Sequence, residues 1–150
     1  MQIWVDADAC PMDAKELMFR LAQRRKITVT LVANQQMSVP RSEYLKMVSV
    51  PVSQDAADAF IAQQVSRGDL VITSDLPLAG QVVAKGGVVL DSRGQTITDQ
   101  NIGERLALRN LLDDLRGTGL ETGGPAPYSP KDRQEFVNSL DRLVTQLSRL

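Results

Sequence analysis

The chain has 150 residues, of which 43% are hydrophobic and 23% are charged, a composition typical of one globular domain spanning residues 1–150. There is no histidine, which excludes Ser-His-Asp and Cys-His catalysis and leaves oxygen ligands, suited to Mg²⁺ or Mn²⁺, for any metal site. The formal net charge is −1 and Cys10 is the single cysteine, so there is neither an overall basic field nor an internal disulfide.

The apolar runs, such as Leu70–Ile72, are far shorter than the roughly 20 residues that a membrane-spanning helix needs. The first residues read Met-Gln-Ile-Trp-Val-Asp, without the basic start and long apolar stretch of a signal peptide. We therefore expect a cytoplasmic protein that does not contact a membrane.

Strand and helix patterns alternate along the first part of the chain. Apolar and β-branched runs predict strands at residues 2–5, 27–33, 45–50, 70–73 and 88–90. Apolar positions at helical spacing, with proline or aspartate near their starts, predict helices at residues 11–25, 55–66 and 77–85. This alternation favours a three-layer α/β fold, with a mostly parallel five-stranded sheet covered by helices on both faces.

The last third of the sequence predicts two helices and a loop. A leucine-rich helix over residues 102–116 is expected to bury Leu108, Leu111, Leu112 and Leu115 against the sheet layer or the final helix. Residues 117–129 hold four glycines and two prolines and are predicted to form a loop. Ser129 before a proline, with an acid at the third helical position, predicts a C-terminal helix over residues 130–150.

Two carboxylates, Asp6 and Asp8, follow the first predicted strand and precede a helix. Ligands of parallel sheets bind just beyond the carboxyl ends of strands, and a hard cation prefers several negative oxygens. The alternative is that one of the two aspartates caps the helix while the other faces water. A cap needs only one acid, so the pair favours a metal site.

The fourth predicted strand also ends in a carboxylate, Asp75, preceded by Thr73 and Ser74, which could hold a metal-bound water or a phosphate. If this strand neighbours the first, Asp75 lies beside Asp6; the alternative is that Asp75 caps the next helix. Asp58, in the first turn of another helix, is a further candidate ligand, although acids there also favour the helix dipole. Asp55 is interpreted as the N-cap of that helix.

Several polar residues are candidates for binding substrate. Asn34 follows the second strand and could hydrogen-bond a substrate or simply form a polar turn. Arg105 and Arg109 share one side of a helix, as a solvated face or a phosphate-binding groove would. Gly123 and Gly124 could present backbone N–H groups to an anion, or belong to a flexible tether.

Four segments carry a family resemblance: residues 4–11 (WVDADACP), 31–34 (LVAN), 68–75 (GDLVITSD) and 122–125 (TGGP). They resemble the bacterial YaiI/YqxD family, which in turn is similar to PIN and NYN domains, metal-dependent nucleases with acids at the ends of the first and fourth strands. The resemblance implies a sheet order of 3-2-1-4-5. It also implies catalytic roles for Asp6, Asp8 and Asp75, with Asp58 as an additional metal ligand.

The leading functional hypothesis is metal-dependent hydrolysis of phosphodiesters, of RNA more than DNA, with Mg²⁺ or Mn²⁺ between Asp6, Asp8 and Asp75. One alternative is a phosphatase of the haloacid-dehalogenase type. Its nucleophile would be Asp6, its acid/base Asp8, its phosphate ligand Thr73 or Ser74, and its positive clamp Lys85. Another is a module that binds nucleic acid or a nucleotide without cleaving it. A homodimer is compatible with the sequence.

Overall fold

The structure is a computed structural model, and it describes residues 1–53, 55–119 and 127–149. Its strands are β1 Ile3–Asp6, β2 Val29–Ala33, β3 Leu45–Ser49, β4 Leu70–Ile72, β5 Val88–Leu90 and β6 Thr96–Ile97. Its helices are α1 Met12–Arg25, α2 Ala56–Gln64, α3 Leu76–Ala84, α4 Ile102–Gly117 and α5 Pro130–Ser148. The predicted alternation of strands and helices is therefore confirmed.

The strands form one sheet in the order β3-β2-β1-β4-β5-β6. The first five pair in parallel, as predicted, which brings the carboxyl ends of β1, β2 and β4 to the same edge. The sixth strand was not predicted. It follows the turn at residues 91–95 and pairs antiparallel with β5, joining Ile97 to Val89 and Thr96 to Leu90.

The two faces of the sheet have separate hydrophobic cores, because side chains alternate along a strand. Ile3 and Val5 of β1 face a core completed by α1 and α5, which includes the fully buried Phe136. Trp4 faces the opposite core, which α2 and α3 complete. The predicted three-layer arrangement is confirmed.

The start of α5 is fixed by a capping box. The Ser129 hydroxyl accepts from the Asp132 N–H, and the Asp132 carboxylate accepts from the Ser129 N–H, as the sequence predicted. Asp55 occupies the N-cap position of α2, as predicted, but its side chain does not cap the helix. Asp55 has a φ of 68° and makes no cap hydrogen bond, because its backbone is left-handed rather than in the extended region that N-caps adopt.

The predicted burial of the α4 leucines is wrong for Leu108 and Leu111, whereas Leu112 and Leu115 are half-buried. Leu108 and Leu111 are 56% and 55% exposed, and no residue of α4 is fully buried. The reason is that α4 packs mainly on α3, itself an outer helix, instead of on the sheet or on α5. Across the described residues, no helix is both long enough and apolar enough to span a bilayer.

Candidate functional site

Thr73 connects the ends of β1 and β4. Its hydroxyl donates to Asp6 Oδ2 over 3.0 Å and accepts from the Asp75 N–H over 3.0 Å. The pairing of β1 with β4 places these groups together, and Thr73 itself is buried. Thr73 therefore positions the two aspartates, whereas the sequence suggested that it contacts substrate. Ser74, next to it, is exposed.

Asp75 has two roles. Its Oδ1 accepts from the Leu78 N–H over 2.8 Å, which caps α3. Its carboxylate also shares a hydrogen bond with the Asp58 carboxyl, which comes from the first turn of α2. The capping and functional interpretations of Asp75 are therefore compatible, and the structure brings Asp58 into the site as predicted.

The electrostatics of the site show how crowded its acids are. Burial raises the pKa of Asp58 to about 7, assisted by the negative charges of Asp75 and Asp6 and by the hydrogen bond to Asp75. Burial also raises the pKa of Asp6; the Thr73 hydrogen bond opposes this, and the charges of Asp75 and Asp8 add to it. We call Asp6, Asp58 and Asp75 the aspartate cluster.

Asp8 is exposed and lies at the margin of the aspartate cluster. Its Oδ2 accepts from the Asn34 N–H over 2.8 Å, which ties the loop after β1 to the end of β2. Asn34 Oδ1 is the one fully buried side-chain polar atom that lacks a hydrogen-bond partner in the described parts of the chain. A buried amide oxygen without a hydrogen-bond partner destabilises the fold, so we expect a ligand or a water molecule to donate a hydrogen bond to it.

The donor atoms suit a hard cation, although a closed coordination shell is not formed. The described residues contain no group of three or more His, Cys, Asp or Glu side chains arranged around one ion position. The hydrogen bonds from Thr73, Leu78 and Asn34 occupy one oxygen each of Asp6, Asp75 and Asp8. Mg²⁺ commonly uses only one or two carboxylates and keeps several waters, so the remaining oxygens fit it.

A groove of about 380 Å³ leads away from Ser74 between the start of α3 and α4. Arg105 and Arg109 both line it, together with Leu76, Gln95, Leu108 and Leu112. The Arg105 guanidinium pairs with Asp91 at 3.7 Å and donates to Gln95, whereas Arg109 is exposed. Arg109 is therefore the better placed of the two to meet a phosphate.

Two further predictions concern the phosphate-binding groups. Gly123 and Gly124 lie outside the described residues. Lys85, the suggested phosphatase clamp, follows the C-terminal end of α3 and donates to the Ala62 carbonyl near the end of α2. Asp75 begins α3 at the aspartate cluster, so the length of the helix separates Lys85 from the cluster by about 14 Å.

Lys15 is a polar residue of this region that the sequence did not single out. It is only 8% exposed, yet its side chain makes no hydrogen bond or ion pair within the described residues. Burial raises the pKa of the nearby Cys10 thiol to about 11, and the positive charge of Lys15 opposes that rise. One signal in the sequence could have indicated its burial: Lys15 lies three residues, or about one helical turn, before Met18 of the apolar stripe of α1.

Residues 4–146 match a family model described as "Uncharacterized BCR, YaiI/YqxD family". The chain is 52% identical to a UPF0178 protein of Shewanella amazonensis, over 99% of this chain and 100% of that protein. It is 50% identical to the UPF0178 protein of Saccharophagus degradans, over 97% of each, and 50% identical to that of Dechloromonas aromatica, over 98% of each. No solved structure matches the chain. By the family match and these near-full-length relatives, this chain belongs to the YaiI/YqxD family.

Proposed function

We propose that the protein is a metal-dependent hydrolase of phosphodiesters that acts on RNA in preference to DNA and uses Mg²⁺ or Mn²⁺. The observation that carries the proposal is the aspartate cluster, in which mutually repelling carboxyls meet at the carboxyl edge of a parallel sheet. Such crowding costs stability unless protons or cations offset it. The resemblance to PIN and NYN domains supports the same chemistry.

Asp6, Asp8 and Asp75 are the residues that would hold the cation. A bound divalent cation supplies a Lewis acid that neutralises phosphate charge and makes water a better nucleophile. Thr73 fixes Asp6 and the backbone of Asp75, so the ligands are held in place before substrate arrives. Asp58, which shares a hydrogen bond with Asp75, would be a further ligand or would accept a proton from the attacking water, and a bound cation would offset the negative charges that raise its pKa.

The groove beside α4 would hold the nucleic acid strand. Leu108 and Leu112 offer an apolar surface on which a base can lie, and Arg109 offers a cation for the backbone. The exposed hydroxyl of Ser74 stands where the groove meets the aspartate cluster, and a 2′-hydroxyl there would distinguish RNA from DNA. The phosphatase alternative is less favoured because Lys85 is engaged at the far end of α3.

The test is cleavage of a labelled single-stranded RNA with Mn²⁺, Mg²⁺ or EDTA, with single-stranded DNA of the same sequence alongside. Asp6→Asn and Asp75→Asn should each lower the cleavage rate at least about 100-fold. Substituting residues that only hydrogen-bond to metal ligands already costs about 10–100-fold in metal affinity or activity. Both variants should fold, because asparagine still accepts the Thr73 bond and still caps a helix.

The matched control is Asp99→Asn, which removes an exposed acid that makes none of the bonds of the site. It should cleave like the unchanged protein. RNA binding without metal-dependent turnover would instead identify a binding module. A phospho-aspartate trapped at Asp6 would identify the phosphatase, and either result would overturn the nuclease proposal.

A further inference from the structure

Lys15 combines a buried stem with an ammonium group that has no partner among the described residues. The residue is 8% exposed, and its ammonium is not among the fully buried unpartnered atoms, so the exposed part includes the charged end. No carboxylate of the described chain lies within ion-pair distance of it. A charge held in place by a buried stem, at the surface and without a counter-ion, is arranged to meet an anion.

The direction of the side chain follows from helix geometry. Side chains two residues apart on a helix point about 200° apart, and Leu17 lines the groove between α1 and α5. Lys15 therefore points away from α5. Long helical side chains also lean towards the N-terminus, so its ammonium lies near the first turn of α1, consistent with its effect on Cys10.

The first turn of α1 adds a second set of anion-binding groups. Pro11 occupies the N-cap position of this 14-residue helix, and its side chain accepts no hydrogen bond from the first N–H groups of the helix. These N–H groups and the helix dipole favour an anion at this end. The nearby acids are Asp13, two residues before Lys15 and so on the opposite side of the helix, Glu16, the next residue of the helix, and Asp8, which accepts from Asn34. Asp6 is also near, since its charge acts on Cys10 as that of Lys15 does.

We infer that Lys15 and the first turn of α1 form a binding site for a phosphate group of the nucleic-acid substrate. The residues between Asp6 and α1 are a short loop, so this site borders the aspartate cluster. The inference deepens the proposed function by adding a positioning group for the substrate phosphate beside the proposed metal ligands. Lys15 would neutralise phosphate charge that the carboxylates would otherwise repel.

The test measures binding alone, without divalent metal and without turnover, so its failure is distinguishable from failure of the nuclease proposal. Thermal melts are recorded with increasing inorganic phosphate, at an ionic strength held constant with chloride. At a phosphate concentration about ten times the dissociation constant, the unchanged protein should melt roughly 3–5 °C higher. Lys15→Arg should keep part of this shift and Lys15→Met should lose it.

Lys46→Met is the matched control, since Lys46 is an exposed lysine on β3. It should respond to phosphate like the unchanged protein. Equal shifts in all variants, or none in the unchanged protein, would overturn the inference. So would a Lys15→Met variant that fails to fold, because removing an unpartnered charge should not destabilise the protein. The trinucleotide UUU, with and without a 5′-phosphate, then shows whether the site prefers a terminal or an internal phosphate.

Discussion

The Asp69 carboxylate accepts three hydrogen bonds just before the start of β4. Its Oδ1 accepts from the Gln2 N–H at 3.0 Å, and its Oδ2 accepts from the Trp4 indole N–H at 3.2 Å and the Ser66 N–H at 2.9 Å. The residue is buried. It joins β1 to the start of β4, and the register of these two strands is what brings Asp6 to Thr73.

Asp69→Asn should therefore destabilise the protein without touching the candidate site directly. An amide can keep its oxygen towards Trp4 and Ser66, but its NH₂ group then opposes the N–H of Gln2. Losing one charge-assisted hydrogen bond and leaving a donor unpaired costs about 2–4 kcal/mol. With a urea m-value of roughly 2 kcal/mol per molar, the midpoint of unfolding should fall by about 1–2 M.

The assay is urea unfolding followed by circular dichroism and by the fluorescence of Trp4, the single tryptophan of the sequence. Asp99→Asn, at an exposed position, should change the free energy of unfolding by less than about 0.5 kcal/mol. If Asp69→Asn is as stable as that control, the three hydrogen bonds do not stabilise the fold and the reasoning is refuted.

The raised pKa of Asp58 means that the folded protein holds this proton more tightly than the unfolded chain does. In the absence of metal, the contribution of this proton to the free energy of unfolding should be complete below about pH 4 and lost as pH rises to about 7. Asp58→Asn should therefore reduce the pH dependence of the free energy of unfolding measured in urea titrations. An unchanged pH dependence would mean that other groups cause it. Gly94→Ala should lower the melting temperature, because Gly94 has a φ of 89° and an added Cβ would lie 2.5 Å from the carbonyl carbon of Glu135. Gly103→Ala, in α4 with nothing within 4 Å, should instead raise the free energy of unfolding by about 0.4–1 kcal/mol; equal effects at the two glycines would contradict both.

The parts of the fold that could be predicted from the sequence are those with local signals. The apolar run at Leu70–Ile72 identifies a strand buried on both faces, and Ser129 with Asp132 identifies the start of a helix. β6 gives no such signal, because two residues are too few to show an alternating pattern, and only pairing with β5 makes Thr96–Ile97 a strand. The leucines of α4 show the reverse: their spacing indicates an apolar face but not whether another element covers it.

The candidate site divides in the same way. Asp6 and Asp75 could be predicted because Asp6 ends β1 and Asp75 comes three residues after β4, and the family resemblance added the strand order that makes them neighbours. The positioning role of Thr73 depends on a hydrogen bond across two strands, which no local pattern contains. Lys15 was missed because a lysine in a helix is ordinarily solvated, and its burial depends on how α1 packs on the sheet.

The short antiparallel β6 also affects how the protein behaves at high concentration. A sheet that ended at β5 would offer an outer row of unpaired backbone groups beside the fully buried Val89 and Leu90, a surface prone to join other chains edge to edge. β6 pairs with that row and is itself too short to template another strand. At the opposite margin, β3 carries the exposed, charged Lys46. Both margins thus discourage intermolecular β-pairing, so aggregation should begin with variants that weaken the attachment of β6.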